Sequence, residues 1–114
     1  RHNLDYDASK LKSIALESFK PIKSLKDYYN RPRPYQVNSE IIPEKSTTAN
    51  TPSYPAGHTT QAFLLAKYLS RKFPLHSFHF YWIAERIGKA RIKAGLHYPS
   101  DHQSGKRLAE MLEV

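Results

Sequence analysis

Three short segments hold most of the residue types able to do chemistry. The first is Lys26-Asp27-Tyr28-Tyr29-Asn30-Arg31-Pro32-Arg33-Pro34, and the second is Tyr54-Pro55-Ala56-Gly57-His58. The third runs from Ala90 to Asp101 and contains Arg91 and His97. Taken singly, each has an ordinary reading. A lysine and an arginine before a proline are solvated charges. Pro-Ala-Gly-His at a helix start is a turn, and His97 with Asp101 four residues on is a helix-surface pair. Taken together they offer cations, two histidines and an acid. Cations suit an anion whose oxygens a guanidinium fork can hold two at a time. Gly57 admits close approach of the backbone, and amides opening a helix face an anion with the helix dipole behind them.

These segments need a scaffold, and the chain is long enough for one. Its 114 residues suit a single domain over 1–114 with one modest core. It begins at Arg1, as a fragment or processed product would. The absence of cysteine excludes disulfides, thiolate metal sites and a cysteine nucleophile, and leaves the compartment undetermined. No apolar run approaches the ~20 residues that cross a bilayer; the longest, Ala62 to Leu69, is interrupted by Lys67. The formal charge of +8 fits an anionic substrate as well as loose attraction to nucleic acid or membrane.

Few segments alternate with period two, so the fold expected is all-α, a compact bundle of about five helices. A first helix is predicted from Asp7 to Phe19, with Leu11, Ile14, Ala15 and Ser18 at helical spacing and Pro21 as its limit. A short helical piece covers Ile22 to Asn30. A long irregular segment, Arg31 to Tyr54, then separates the first two motifs; loops of that length in compact domains tend to be functional. The third helix runs from Gly57 to Phe73 with a stripe of Ala62, Leu65, Ala66, Leu69 and Phe73. The fourth fits Ser77 to Ala94, with Ser77 as N-cap, Gly95 as stop, and Phe78, Trp82 and Ile92 among its apolar positions. The last begins at Pro99 and carries Leu108, Ala109 and Leu112.

The order and spacing of the motifs, Lys26…Arg33-Pro34, Pro55-Ala56-Gly57-His58 and Arg91…His97…Asp101, resemble one superfamily. It comprises the type 2 phosphatidic acid phosphatases, the bacterial class A acid phosphatases and the vanadium haloperoxidases. The resemblance covers Lys26 to Asp101. It implies a metal-free phosphatase that cleaves phosphomonoesters through a phosphohistidine. His97 would be the nucleophile, Asp101 its orienting acid, and His58 the proton donor and then the base. Lys26, Arg33, Gly57, His58 and Arg91 would hold the phosphoryl oxygens. Three cations gathered without an anion would repel, so a phosphate is their natural occupant. No cofactor is implied; vanadate is expected as an inhibitor.

The chain departs from the family at Ala56 and Ala90, where serine is usual. Ala56 removes a hydroxyl donor to phosphate, which predicts weakened rather than abolished activity. Two other readings use the same pocket: a haloperoxidase with vanadate as cofactor, and a degenerate phosphate- or polyanion-binding domain. The partners implied are a phosphorylated small molecule or a lipid phosphate, without specific nucleic-acid binding; a homo-oligomer would complete a short bundle. The resemblance favours a periplasmic or secreted protein. Outside the motifs, His76, His79 and His102 read as surface or helix-start histidines, with the pocket rim as the second reading of His102, His2 as terminal, and Arg31 and Lys93 as solvated charges. Tyr28, Tyr29, Tyr35 and Tyr54 flank the first two motifs, and shaping the leaving-group side of the pocket is their second reading. Phe78, Phe80, Tyr81 and Trp82 read as core or subunit contact.

Overall fold

The computed structural model describes residues 8–38, 40–42 and 52–113. Its elements are α1 (Ala8–Tyr29), the single turn α2 (Pro34–Val37), α3 (Gly57–Lys72), a 3-10 turn (Pro74–His76), α4 (Ser77–Lys93) and α5 (Pro99–Met111). Among the described residues there is no strand, and the fold is the expected helical bundle. The expected terminal position of His2, and residues 39 and 43–51 of the irregular segment before the second motif, lie outside the described residues.

The first helix does not stop at Pro21. It runs on to Tyr29 with Pro21 inside it. A proline removes one main-chain donor and crowds the preceding turn. Here the buried positions Ile14, Ser18 and Ile22 continue at four-residue spacing across it, so side-chain burial on one face outweighs the local break. The next position on that line is Lys26. The helix ends at Asn30, whose φ of 47° is a left-handed C-terminal stop, and its amide donates to the Lys26 carbonyl at 2.8 Å.

Helix α3 is the centre of the bundle and packs against α1, α4 and α5. With neighbours on several sides, its buried set is wider than one stripe and rotated from the expected one. Thr59, Thr60, Phe63, Leu64 and Ala66 are buried, whereas Leu69 and Phe73 are only partly covered. Phe63, Leu64 and Ala66 join Ile14, Ala84 and Ala109 in the core.

Helix α4 also differs from expectation. The 3-10 turn started by Pro74 delivers the chain already helical, so Ser77 is the first helical residue and His76 takes the cap position. Its buried residues are the small ones, Ala84 and Gly88. Phe78 and Trp82 are exposed, and of that aromatic group Phe80 is the one packed against the core. Gly88 makes room for a neighbour: a Cβ there would fall 2.1 Å from the His102 ring. Gly105 does the same for α5, since its Cβ would lie 2.8 Å from the Ala56 carbonyl oxygen. These two glycines set how closely α3, α4 and α5 approach.

Candidate active site

The three motifs converge through those close contacts. The Ala56 amide donates to the Asp101 carbonyl at 3.1 Å, tying the start of α3 to the first turn of α5. After α4, Gly95 takes a φ of 79° and the chain turns back, burying Leu96 and His97. The Leu96 carbonyl accepts a hydrogen bond from the Arg33 guanidinium at 3.0 Å. Arg33 itself leads into α2, where Pro34 occupies the first helical position and the Arg33 amide donates to Gln36 Oε1 at 2.7 Å.

The result is a cleft of about 230 Å³ lined by Lys26, Arg33, Gly57, His58 and His97. Phe19, Ile22 and Gln61 form its less charged side. Thus five of the residues expected at the site share one cavity. Asp101 sits behind His97 and is fully buried. Arg91, in the last turn of α4, does not line the cleft, but its charge reaches Lys26, Arg33 and His58.

The geometry selects one tautomer of His97. An Arg33 N–H points at His97 Nε2 across 3.2 Å. A guanidinium only donates, so Nε2 carries the lone pair and the ring proton is on Nδ1. Nδ1–H in turn faces Asp101 Oδ2 at 3.4 Å. Burial holds His97 below the usual histidine range; Asp101 opposes this, while Arg33 and Lys26 reinforce it. The ring therefore presents a neutral, unprotonated nitrogen to the cleft. Burial alone would raise the Asp101 carboxyl. Hydrogen bonds from His97, the Tyr98 amide, Arg31 and Ser53 outweigh it and hold the acid below its ordinary value.

The cations are also perturbed. Partial burial, then repulsion from Arg33 and Arg91, brings Lys26 down to about 8 against the pull of Asp101. Its ammonium donates to the Pro52 carbonyl at 2.7 Å. Burial lowers Arg33, with Arg91 adding to the effect. His58 lies exposed where it borders the cleft. Partial desolvation, then repulsion led by Arg91 with Arg33 and Lys26 adding to it, pushes it down to about 4. Gly57 has room: a Cβ there would make only ordinary contact, 3.5 Å from Ile22 Cγ2 and 3.8 Å from Lys26 Cε.

Several readings of single residues need correction. Arg31 is not merely solvated. Its guanidinium donates to Asp101 Oδ1 at 2.8 Å and to Ser100 Oγ at 2.7 Å, and lies over the rings of Tyr54 and Tyr98. His102 is not on the rim but buried, between Glu85 Oε1 at 2.5 Å and Thr59 Oγ1 at 3.0 Å. The tyrosines do not line the cleft; Tyr29 packs edge-on against Tyr28 and Tyr54. His79 and Lys93 are exposed as expected, and His76 is half-buried. Among the described residues no cluster of histidines and carboxylates suits a metal ion, and no helix is long and apolar enough to cross a membrane.

A helical bundle that gathers these three motifs on one cleft defines a class, and comparison with known proteins agrees with it. Residues 11–111 match the family model of the PAP2 superfamily, and the chain belongs to that superfamily. It is 35% identical over 86 residues to a non-specific acid phosphatase of Salmonella typhi, covering 73% of this chain and 34% of that protein. It is 30% identical over 109 residues to an acid phosphatase of Zymomonas mobilis subsp. mobilis, covering 93% of this chain and 41% of that one. Among solved structures it resembles the transmembrane PAP2 type phosphatidylglycerolphosphate phosphatase of Bacillus subtilis. There the TM-score is 0.62 at 25% identity, over 92% of this chain and 54% of that chain. The chain thus spans well under half the length of the curated relatives it matches.

Proposed function

We propose that this protein is a metal-independent phosphatase that hydrolyses phosphomonoesters through a phosphohistidine on His97. The observation that carries the reading is the orientation of His97. Its Nε2 lone pair faces a cation-lined cleft while Nδ1–H is directed at a buried carboxylate. Membership of the PAP2 superfamily and likeness to proteins named acid phosphatases support it.

In this reaction a phosphoryl group enters between Lys26, Arg33 and the amides opening α3. The Arg33 N–H leaves Nε2 for a phosphoryl oxygen, which frees the lone pair. Nε2 attacks phosphorus in line, the bond to the leaving oxygen breaks, and that oxygen takes a proton from His58. The imidazole becomes a cation stabilised by Asp101. His58, now neutral, removes a proton from water as the water attacks the phosphohistidine, and inorganic phosphate leaves with His97 restored. Lys26, Arg33 and Arg91 supply the positive charge that offsets the equatorial oxygens.

The decisive measurement is turnover of p-nitrophenyl phosphate between pH 4 and 8 in EDTA, with acid-stable and acid-labile phosphoprotein separated after rapid quenching. The expected result is phosphate release, inhibition by vanadate, and a base-stable, acid-labile phosphoryl group lost in His97→Ala. Full activity in His97→Ala would reject the nucleophile, and activity abolished by EDTA and restored by a divalent metal would reject metal independence.

A further inference from the structure

Arg31, two residues before the cleft arginine, makes contacts that the proposed chemistry leaves unexplained. In an extended stretch, residues i and i+2 point to the same side. Arg33 has extended torsions, φ −73° and ψ 158°. Pro32 between the two arginines is exposed. Both guanidiniums of this three-residue segment reach the same partner pair from opposite ends. Arg33 donates to Nε2 of His97, and Arg31 donates to Oδ1 of Asp101. The other carboxylate oxygen, Oδ2, receives the Tyr98 amide at 2.8 Å and faces His97 Nδ1. Arg31, Asp101, His97 and Arg33 therefore form one continuous chain of donors and acceptors.

The guanidinium is itself held in place. It spans Ser100 Oγ and Asp101 Oδ1 and lies between two aromatic rings, 5.4 Å from the centre of Tyr54 and 5.0 Å from that of Tyr98. The backbone beneath it is tied to the second motif by the Ser53 amide, which donates to the Arg31 carbonyl at 2.8 Å. Its side chain is 38% exposed whereas that of Asp101 is wholly covered, so Arg31 closes the outer side of a buried carboxylate. It is not among the residues that line the cleft.

We infer that Arg31 is a positioning residue: it fixes the Asp101 carboxylate by one oxygen so that the other stays directed at His97 Nδ1, and it acts on the reaction only through that pair. Without Arg31 the carboxylate keeps the Tyr98 amide and its Ser53 hydrogen bond but loses its charged partner, and its terminal torsion, broad and roughly two-fold, is less constrained. With Arg31 in place the rotation is stopped, and the imidazole keeps the tautomer that presents Nε2. The catalytic part of this role rests on the phosphatase reading; the geometric part does not.

The test compares Arg31→Gln and Arg31→Lys, each alone and combined with Asp101→Asn. Steady-state kinetics on p-nitrophenyl phosphate are read beside the low-field imidazole N–H resonance of His97 in the resting protein. For Arg31→Gln, kcat should fall by roughly tenfold or more, the scale seen when a partner that orients a functional imidazole is removed, with KM little changed. Arg31→Lys should recover part of the loss. In the Asp101→Asn background, Arg31→Gln should add nothing, because the group it acts through has already been altered. The His97 resonance should shift or broaden in Arg31→Gln. A raised KM at constant kcat would mean that Arg31 touches substrate, and a fully additive loss would mean that it acts elsewhere; either overturns the inference. If the wild type proves inactive, the phosphatase reading fails and the resonance alone decides: a change upholds the positioning of Asp101, and an unchanged resonance rejects it.

Discussion

At the scale of single residues, the site is a set of pKa values displaced by shared burial and charge. Lys26 at about 8 keeps its ammonium charged at neutral pH and loses it as pH rises through that value. Inorganic phosphate should therefore inhibit less strongly above pH 8, with the limb moved upward by whatever the bound anion adds to the lysine. Inhibition constants measured from pH 6 to 10 check this, and Lys26→Arg should hold its affinity to higher pH because a guanidinium stays charged throughout. A limb unchanged in Lys26→Arg would assign it to another group. His58, at about 4, is neutral at pH 7. A proton donor there takes its proton from solution, at acid pH or once the negative charge of a bound phosphoryl group raises its pKa, so turnover should be favoured on the acid side. Removing a general acid costs ~10²–10⁴-fold, and the cost depends on the leaving group. His58→Ala should slow an alkyl phosphate far more than p-nitrophenyl phosphate, whose leaving oxygen needs little help. Equal losses on the two substrates would sink the donor role.

At the scale of elements, glycines separate packing from chemistry. Gly88 lies against the His102 ring and Gly105 against the Ala56 carbonyl. A methyl group at either site forces α4 or α5 away from α3. Gly105→Ala should destabilise the fold by about 1–3 kcal/mol and lower activity with it, because the same approach carries the Ala56 amide to Asp101. Gly57 contrasts with both, since a Cβ there meets only ordinary contacts. Gly57→Ala should unfold at the wild-type denaturant midpoint yet lose kcat/KM, because the added methyl group lies beside Lys26 where the anion must approach. Denaturant melts and kinetics on the two alanine variants test the contrast. A second tie works alongside these glycines: His102 joins Glu85 of α4 to Thr59 of α3, and Lys106 adds an ion pair to Glu85 at 2.9 Å. It staples the residues next to His58 and Asp101 without entering the cleft.

At the scale of the whole molecule, the bundle folds around a cleft whose cations repel. Lowered lysine and histidine values mean that the folded state binds fewer protons than the unfolded chain. Stability should therefore rise with pH from about 4 to the ordinary histidine value through His58, and from about 8 to the ordinary lysine value through Lys26. An anion in the cleft relieves the repulsion and binds only the native state. Phosphate at 100 times its dissociation constant should add ~2.7 kcal/mol, seen as a higher Tm than in chloride of equal ionic strength, and the gain should shrink above pH 8. Equal melting in the two salts would count against a specific phosphate cleft.

The residues that line the cleft were readable because motif spacing survives in one dimension: Lys26, Arg33, Gly57, His58 and His97 sit there, with Asp101 behind His97. Helical periodicity likewise announced an all-α bundle. Local rules failed where packing overrode them. Pro21 read as a stop, yet the line Ile14, Ser18, Ile22 is buried continuously and carries Lys26 into the cleft. Arg31 read as one more surface charge, since its partner Asp101 is 70 residues away and nothing local marks the pair. His102 read as a surface histidine, or at most a rim residue beside Asp101, because its partners Glu85 and Thr59 lie on other helices. Thus the sequence by itself determined which chemical groups the protein owns and the helical period that carries them, since both are local properties. Only the tertiary structure decided which nitrogen of His97 faces the cleft and which cations share it. It alone decided that one three-residue segment grips the histidine–aspartate pair from both ends. Those choices depend on contacts between distant parts of the chain, and burial of the helix faces sets them.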